Sequence, residues 1–112
     1  MALQLPVTLP NGAEGNYLRI GVFEWNREQR SAYVQLALFK DAAQAASAPR
    51  FPLAVVGILN LRNEKFDQYL SNAAIAAADG KVLLQVYAAV KAEPLSPVNG
   101  LLIDNIDQAE NV

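Results

Sequence analysis

The sequence predicts an α+β domain in which a mainly antiparallel sheet is packed by two helices from the second half of the chain. Three observations predict it. Residues 17–39 hold two period-two runs of β-branched and aromatic residues around a polar interruption, a mostly aliphatic run follows at 51–61, and beyond Asn63 the apolar spacing lengthens to that of a helix. A length of 112 residues suits a single hydrophobic core. We expect one α+β domain over residues 1–94 and a C-terminal extension over 95–112.

Leu3, Leu5, Val7 and Leu9 alternate with Gln4, Pro6, Thr8 and Pro10, which suits a short edge strand because neither proline can donate to a ladder. The glycine-bearing stretch Asn11 to Asn16 then makes a loop. Tyr17 to Trp25 and Ser31 to Phe39 pair as a β-hairpin across the polar run Asn26-Arg27-Glu28-Gln29-Arg30. Strict alternation puts Leu18, Ile20, Val22, Ala32, Val34, Leu36 and Leu38 on the core face. The same parity puts Tyr17, Arg19, Phe23, Trp25, Tyr33, Gln35 and Phe39 on the other, which either helices or a partner must cover.

Lys40 to Arg50 reads as a surface loop or single helical turn, and Phe51 to Leu61 as a third, central strand. Phe66, Tyr69, Leu70, Ala73, Ala74 and Ala77 fall on one helical face, so one helix is expected over 63–78 with Asn63 as its N-cap and Asp79-Gly80 as its end. A second helix is expected over 81–92, where Val82, Leu83, Val86, Tyr87 and Val90 form a stripe and Pro94 enforces the stop. Past a linker-like segment, Leu101-Leu102-Ile103-Asp104-Asn105-Ile106 is too apolar to stay in water, and is either a last strand of the sheet or an arm that docks on a neighbouring subunit.

Composition narrows the function classes. The hydrophobic fraction of 53% is high and the charged fraction of 18% low, an apolar excess that favours a homo-oligomer or an embedded subunit. The absence of Cys removes disulfides and thiolate metal sites, and the absence of His removes both the commonest metal ligand and the base nearest neutrality. No nucleic-acid partner is expected, because Arg19, Arg27, Arg30, Lys40, Arg50, Arg62, Lys65, Lys81 and Lys91 are scattered through a chain of net charge −2. No membrane partner is expected either: the apolar stretches Leu53–Leu59 and Ala73–Ala78 are too short to span a bilayer, and no signal peptide is read at the N-terminus.

No enzyme chemistry is expected. Ser31, Ser47, Ser71 and Ser96 have no imidazole to activate them, and the carboxylate pairs Asp104 with Asp107 and Glu24 with Glu28 are read as solvated charges. Asp104-Asn105-Ile106-Asp107 lacks the glycine and later glutamate of a Ca²⁺ loop, and Gly12, Gly15 and Gly21 lack phosphate-loop spacing. No cofactor follows from this pattern. Tyr69 and Tyr87 are read as core residues. The interface candidates are Trp25, Tyr17, Phe23, Tyr33 and Phe39 on the hairpin and Leu101, Leu102, Ile103 and Ile106 in the C-terminal segment, with Trp25 favoured as an anchor because indole joins a large apolar area to one donor.

Three segments, Leu38-Phe39-Lys40-Asp41-Ala42-Ala43, Phe66-Asp67-Gln68-Tyr69-Leu70-Ser71 and Gln85-Val86-Tyr87-Ala88-Ala89-Val90-Lys91, carry a loose resemblance. In their order the chain resembles small structural-type proteins of tailed bacteriophages and prophages. The resemblance implies a non-catalytic virion component of a tail, collar, fibre attachment or capsid surface. It would be made in the host bacterial cytoplasm and packed in repeated copies against other virion proteins. Two other readings stand beside it: a soluble binding module that recruits or inhibits one host protein, and a carrier with a small-ligand pocket between sheet and helices.

Overall fold

The computed structural model describes residues 2–103 and 105–112. The elements, in chain order, are β1 (Leu3–Thr8), β2 (Glu14–Asn26), β3 (Ser31–Phe39), α1 (Ala42–Ser47), β4 (Ala54–Arg62), α2 (Glu64–Leu70), α3 (Asn72–Ala77), α4 (Val82–Ala92), a 3₁₀ turn (Ile106–Gln108) and β5 (Glu110–Asn111). The strands form one antiparallel sheet in the order β4-β3-β2-β1-β5, so the α+β architecture predicted from the sequence is the one observed. One face of the sheet carries α2, α4 and the C-terminal segment over the main core, with α3 packed on α2 and α4; among the described residues the helix on the other face is α1, at one corner.

The β2–β3 hairpin forms because alternating aliphatic residues on both strands share one buried face. Leu18 pairs with Leu38 and Ile20 with Leu36, all toward the core. Between Ile20 and Val22 the register slips by one residue, and Val22 then lies opposite Gln35 while Phe23 lies opposite the buried Val34. This bulge at Gly21 corrects the alternation read from the sequence: Val22 leaves the core face, and Phe23 and Trp25 join it, packed against the main cluster. One inserted residue inverts every side chain beyond it, and glycine is the residue that most easily takes such a position. The Ile20 amide beside the bulge donates to the Tyr87 hydroxyl of α4 at 3.0 Å, which ties the irregular rung to the helical layer.

Two further departures have local causes. The expected helix 63–78 is broken into α2 and α3 at Ser71, whose backbone is extended (ψ 158) and whose hydroxyl accepts from the Ala74 amide at 3.2 Å, starting a new helix instead of continuing the old one. Asn63 holds the N-cap position of α2, but at φ 56 its side chain makes no cap bond; its amide instead donates to the Arg30 carbonyl. Asp79 and Gly80, both at positive φ, end α3 as the sequence predicts, with the Gly80 amide donating to the Ile75 carbonyl at 2.9 Å.

The C-terminal segment is woven into this architecture. Leu95, Ile103, Ile106 and Ala109 are buried in the main core, Ser96 bridges to Ile58 on the open edge of β4, and β5 pairs with Leu3 and Gln4 of β1. The last strand therefore lies at 110–111, after the apolar stretch expected to form it, and β1 is covered along Leu3 and Gln4 instead of being an edge throughout. Pro6 remains where β1 meets β2 irregularly, which suits a residue with no amide to donate.

Tyr69 and Tyr87 are buried core residues, in agreement with the sequence reading. Burial pushes both phenols above the usual 10.0; for Tyr69 the hydrogen bond to Glu93 adds to this, and for Tyr87 the bond from Ile20 and the charge of Arg19 oppose it. A folded-state pKa above the unfolded value means that the associated stability is complete below about pH 10 and is lost as pH rises through the folded values. The melting temperature should therefore fall more steeply as pH rises above about 10 in the native protein than in a Tyr87→Phe variant. Parallel slopes in a thermal scan series would contradict this.

Candidate docking surface on the outer face of the sheet

The helices leave the outer face of the sheet largely uncovered. At one corner Asp41 caps α1 by accepting from the Gln44 amide at 2.8 Å, and the helix lays Ala45 on Ala37 and Phe39, with Tyr17 packed alongside. Beyond that small cluster, Val22, Tyr33, Gln35, Val55 and Ile58 are only half-buried. They share the face because the bulge turns Val22 outward opposite Gln35, while Gln35 lies opposite Ile58 and Ala37 opposite Val55. Polar groups are interleaved: the Gln35 side-chain Nε2 donates to the Tyr33 hydroxyl at 2.8 Å, and the Arg19 guanidinium lies 6.0 Å from the centre of the Phe39 ring.

Such a surface is built for contact more than for chemistry. Mixed aromatic, aliphatic and hydrogen-bonding groups on a rigid sheet can bury area against another protein while keeping their polar atoms paired. The segment entering β4 adds Phe51, which is 74% exposed, together with the exposed Leu53. Its backbone is held by three hydrogen bonds: Phe51 N–H to the Ala48 carbonyl (3.0 Å), Gln44 side-chain N–H to the Phe51 carbonyl (3.1 Å) and Leu53 N–H to the Leu38 carbonyl (2.8 Å).

The nine interface candidates read from the sequence divide between several places. Tyr17 and Phe39 do come together on the outer face, which Tyr33 shares toward the other end of β3, although Phe39 is already buried there by α1 and Arg19. Phe23 and Trp25 lie on the opposite face, where Trp25 is half-buried between Phe23 (ring centres 5.6 Å apart) and Phe66 of α2 (6.3 Å), with Arg27 over its ring. Ile103 and Ile106 are buried, Leu101 packs against the core, and Leu102 is exposed at 55%. The core takes these side chains because the C-terminal segment closes over α4 instead of projecting from the domain.

The residues that alternation missed are Val22, whose face was inverted, and Val55, Ile58 and Phe51, which lay in a strand read as central and covered. Gly21 was the available signal, since a glycine inside a strand pattern marks a bulge. Asp104 lies outside the described residues, and with it both the Asp104–Asp107 carboxylate pair and the stretch compared with a Ca²⁺ loop. Glu24 and Glu28 are exposed. Among the described residues no three His, Cys, Asp or Glu side chains gather as a metal site, and no helix is long and apolar enough to cross a membrane. No protein-family model, curated protein or solved structure matches the chain.

Proposed function

We propose that this chain is a non-catalytic structural or adaptor subunit that works by packing its outer sheet face against another protein, as a component of a phage virion used in repeated copies. The observation that carries the packing part is the uncovered outer face, on which Val22, Tyr33, Val55 and Ile58 stay half-exposed beside the prominent Phe51. An apolar face left open on a small domain marks an interaction site. The virion assignment is supported by the segment resemblance, and repeated copies by the 53% hydrophobic fraction together with exposed Leu83 and Leu84 on α4.

The mass of the purified protein in solution, measured by light scattering, tests this reading. A defined oligomer is the expected result. A monomer at all concentrations would overturn self-association and leave the second reading, a soluble module that recruits or inhibits one protein, which the same outer face favours. The carrier reading has less support, because Leu36, Val56, Leu70, Val86 and Val90 fill the space between sheet and helices where its pocket was expected.

A further inference from the structure

The outer face is not uniform, and its most concave part has a distinct chemistry. Gly21 and Ala37 meet across β2 and β3: a Cβ built on Gly21 would lie 3.4 Å from that of Ala37. Two small residues side by side make a floor, with Arg19 and Phe39 on one side and Pro49, Arg50, Pro52 and Val55 on the other. The resulting groove encloses about 430 Å³. Its lining holds two guanidinium groups and no carboxylate, and neither Arg19 nor Arg50 makes an ion pair among the described residues. On a chain of net charge −2, this is a local concentration of uncompensated positive charge over an apolar floor.

We propose that this groove binds an extended, acidic segment of a partner protein, with a carboxylate held by Arg19 and Arg50 and apolar neighbours laid over Gly21, Ala37 and Val55. The proposal rests on reading the outer face as a docking surface and names the chemistry of what docks there. Arginine presents a planar fork that matches a carboxylate in two parallel hydrogen bonds. The Arg19 guanidinium lies 6.0 Å from the centre of the Phe39 ring, and the backbone of the far wall is held by the Gln44 and Leu53 hydrogen bonds, which reduces the backbone order to be imposed on binding. Charge complementarity selects this occupant over the others. A second copy docked through the same face would bring four guanidiniums together. Within the groove itself a nucleic acid would find little ring surface on which to stack a base, because Phe39, the aromatic residue of its lining, is only 3% exposed.

A random linear peptide library selected against the full-length protein tests the proposal. Enriched peptides should carry Asp or Glu between apolar residues, and their binding should weaken with added salt. It should also weaken by about tenfold or more in the Arg19→Gln/Arg50→Gln double variant, the effect of losing a charged hydrogen-bonded pair. Gly21→Leu should block binding with an unchanged melting curve, since its added side chain meets Ala37 at ordinary contact distance and points into the groove; should that variant misfold, the arginine variant still decides. Enriched peptides without acidic residues, blocked by Gly21→Leu but indifferent to the arginine variant, would overturn the acidic-segment proposal while leaving the docking face in place. Failure to enrich any peptide that Gly21→Leu displaces would overturn both. Binding of a single-stranded DNA oligonucleotide that the arginine variant abolishes would also overturn the proposal, in favour of a phosphate backbone.

Discussion

Removal of Leu101–Val112 is expected to unfold the domain. The segment buries Ile103, Ile106 and Ala109 in the main core, packs Leu101 against it and supplies β5 to the outer edge of β1. Truncating one buried Ile to Ala costs about 2–5 kcal/mol, so deleting two removes about 4–10 kcal/mol before the strand pairing is counted. A domain of this size has about 5–15 kcal/mol in all. The amide and carbonyl of Ala2, which bond the carbonyl and amide of Val112 at 2.9 Å each, would also lose their partners. Circular dichroism and a urea titration of the truncated protein should show no cooperative transition. A sigmoidal transition close to that of the full chain would mean that the segment is a detachable arm after all, and would reopen its docking on a neighbour.

Leu36→Ala should cost about 2–5 kcal/mol in a denaturant titration. Leu36 is 1% exposed and lies opposite Ile20 on β2 and Gly57 on β4, in the rungs where both neighbouring pairings change register. Backbone pairing there is interrupted on both sides, so apolar packing holds the centre of the sheet in place. Little collapse into the resulting cavity is open to the site, because Val34, Leu38, Leu59 and Val86 around the core are themselves nearly fully buried. A loss under about 1 kcal/mol would show that the core face of β3 has been assigned wrongly.

The contrast between Leu36 and Val22 shows how far a sequence reaches. On β3 the pleat is unbroken against β2 from Tyr17↔Phe39 to Ile20↔Leu36, so alternation alone placed Leu36 and Leu38 in the core. On β2 the same rule held through Ile20 and failed at Val22, because the pairing partner, not the strand's own pattern, decides whether a residue is inserted. Asn63 to Ala78 fails for a related reason. Its apolar spacing is helical throughout, but Ser71 bonds the Ala74 amide instead of continuing the turn, an outcome with the same periodicity.

The candidate site was legible only in part. Tyr17, Tyr33 and Phe39 stood out as aromatics on one face of a hairpin, whereas Val55, Ile58 and Arg50 come from a segment far along the chain that reaches the same surface only when β4 pairs with β3. Trp25 was the most prominent aromatic in the sequence, and the bulge moved it to the core side beside Phe66.

By itself the sequence determined the α+β class, the hairpin, the stop of α4 before Pro94 and the core roles of Tyr69 and Tyr87, because each depends on residue type and spacing over a few turns or rungs. Only the tertiary structure decided which face of β2 is covered beyond Gly21, that residues 95–112 close the core, and that Arg19 and Arg50 share one groove. Those outcomes are set by pairings between segments distant in the chain, and a local pattern carries the preference of a residue for burial but not the identity of the surface that buries it.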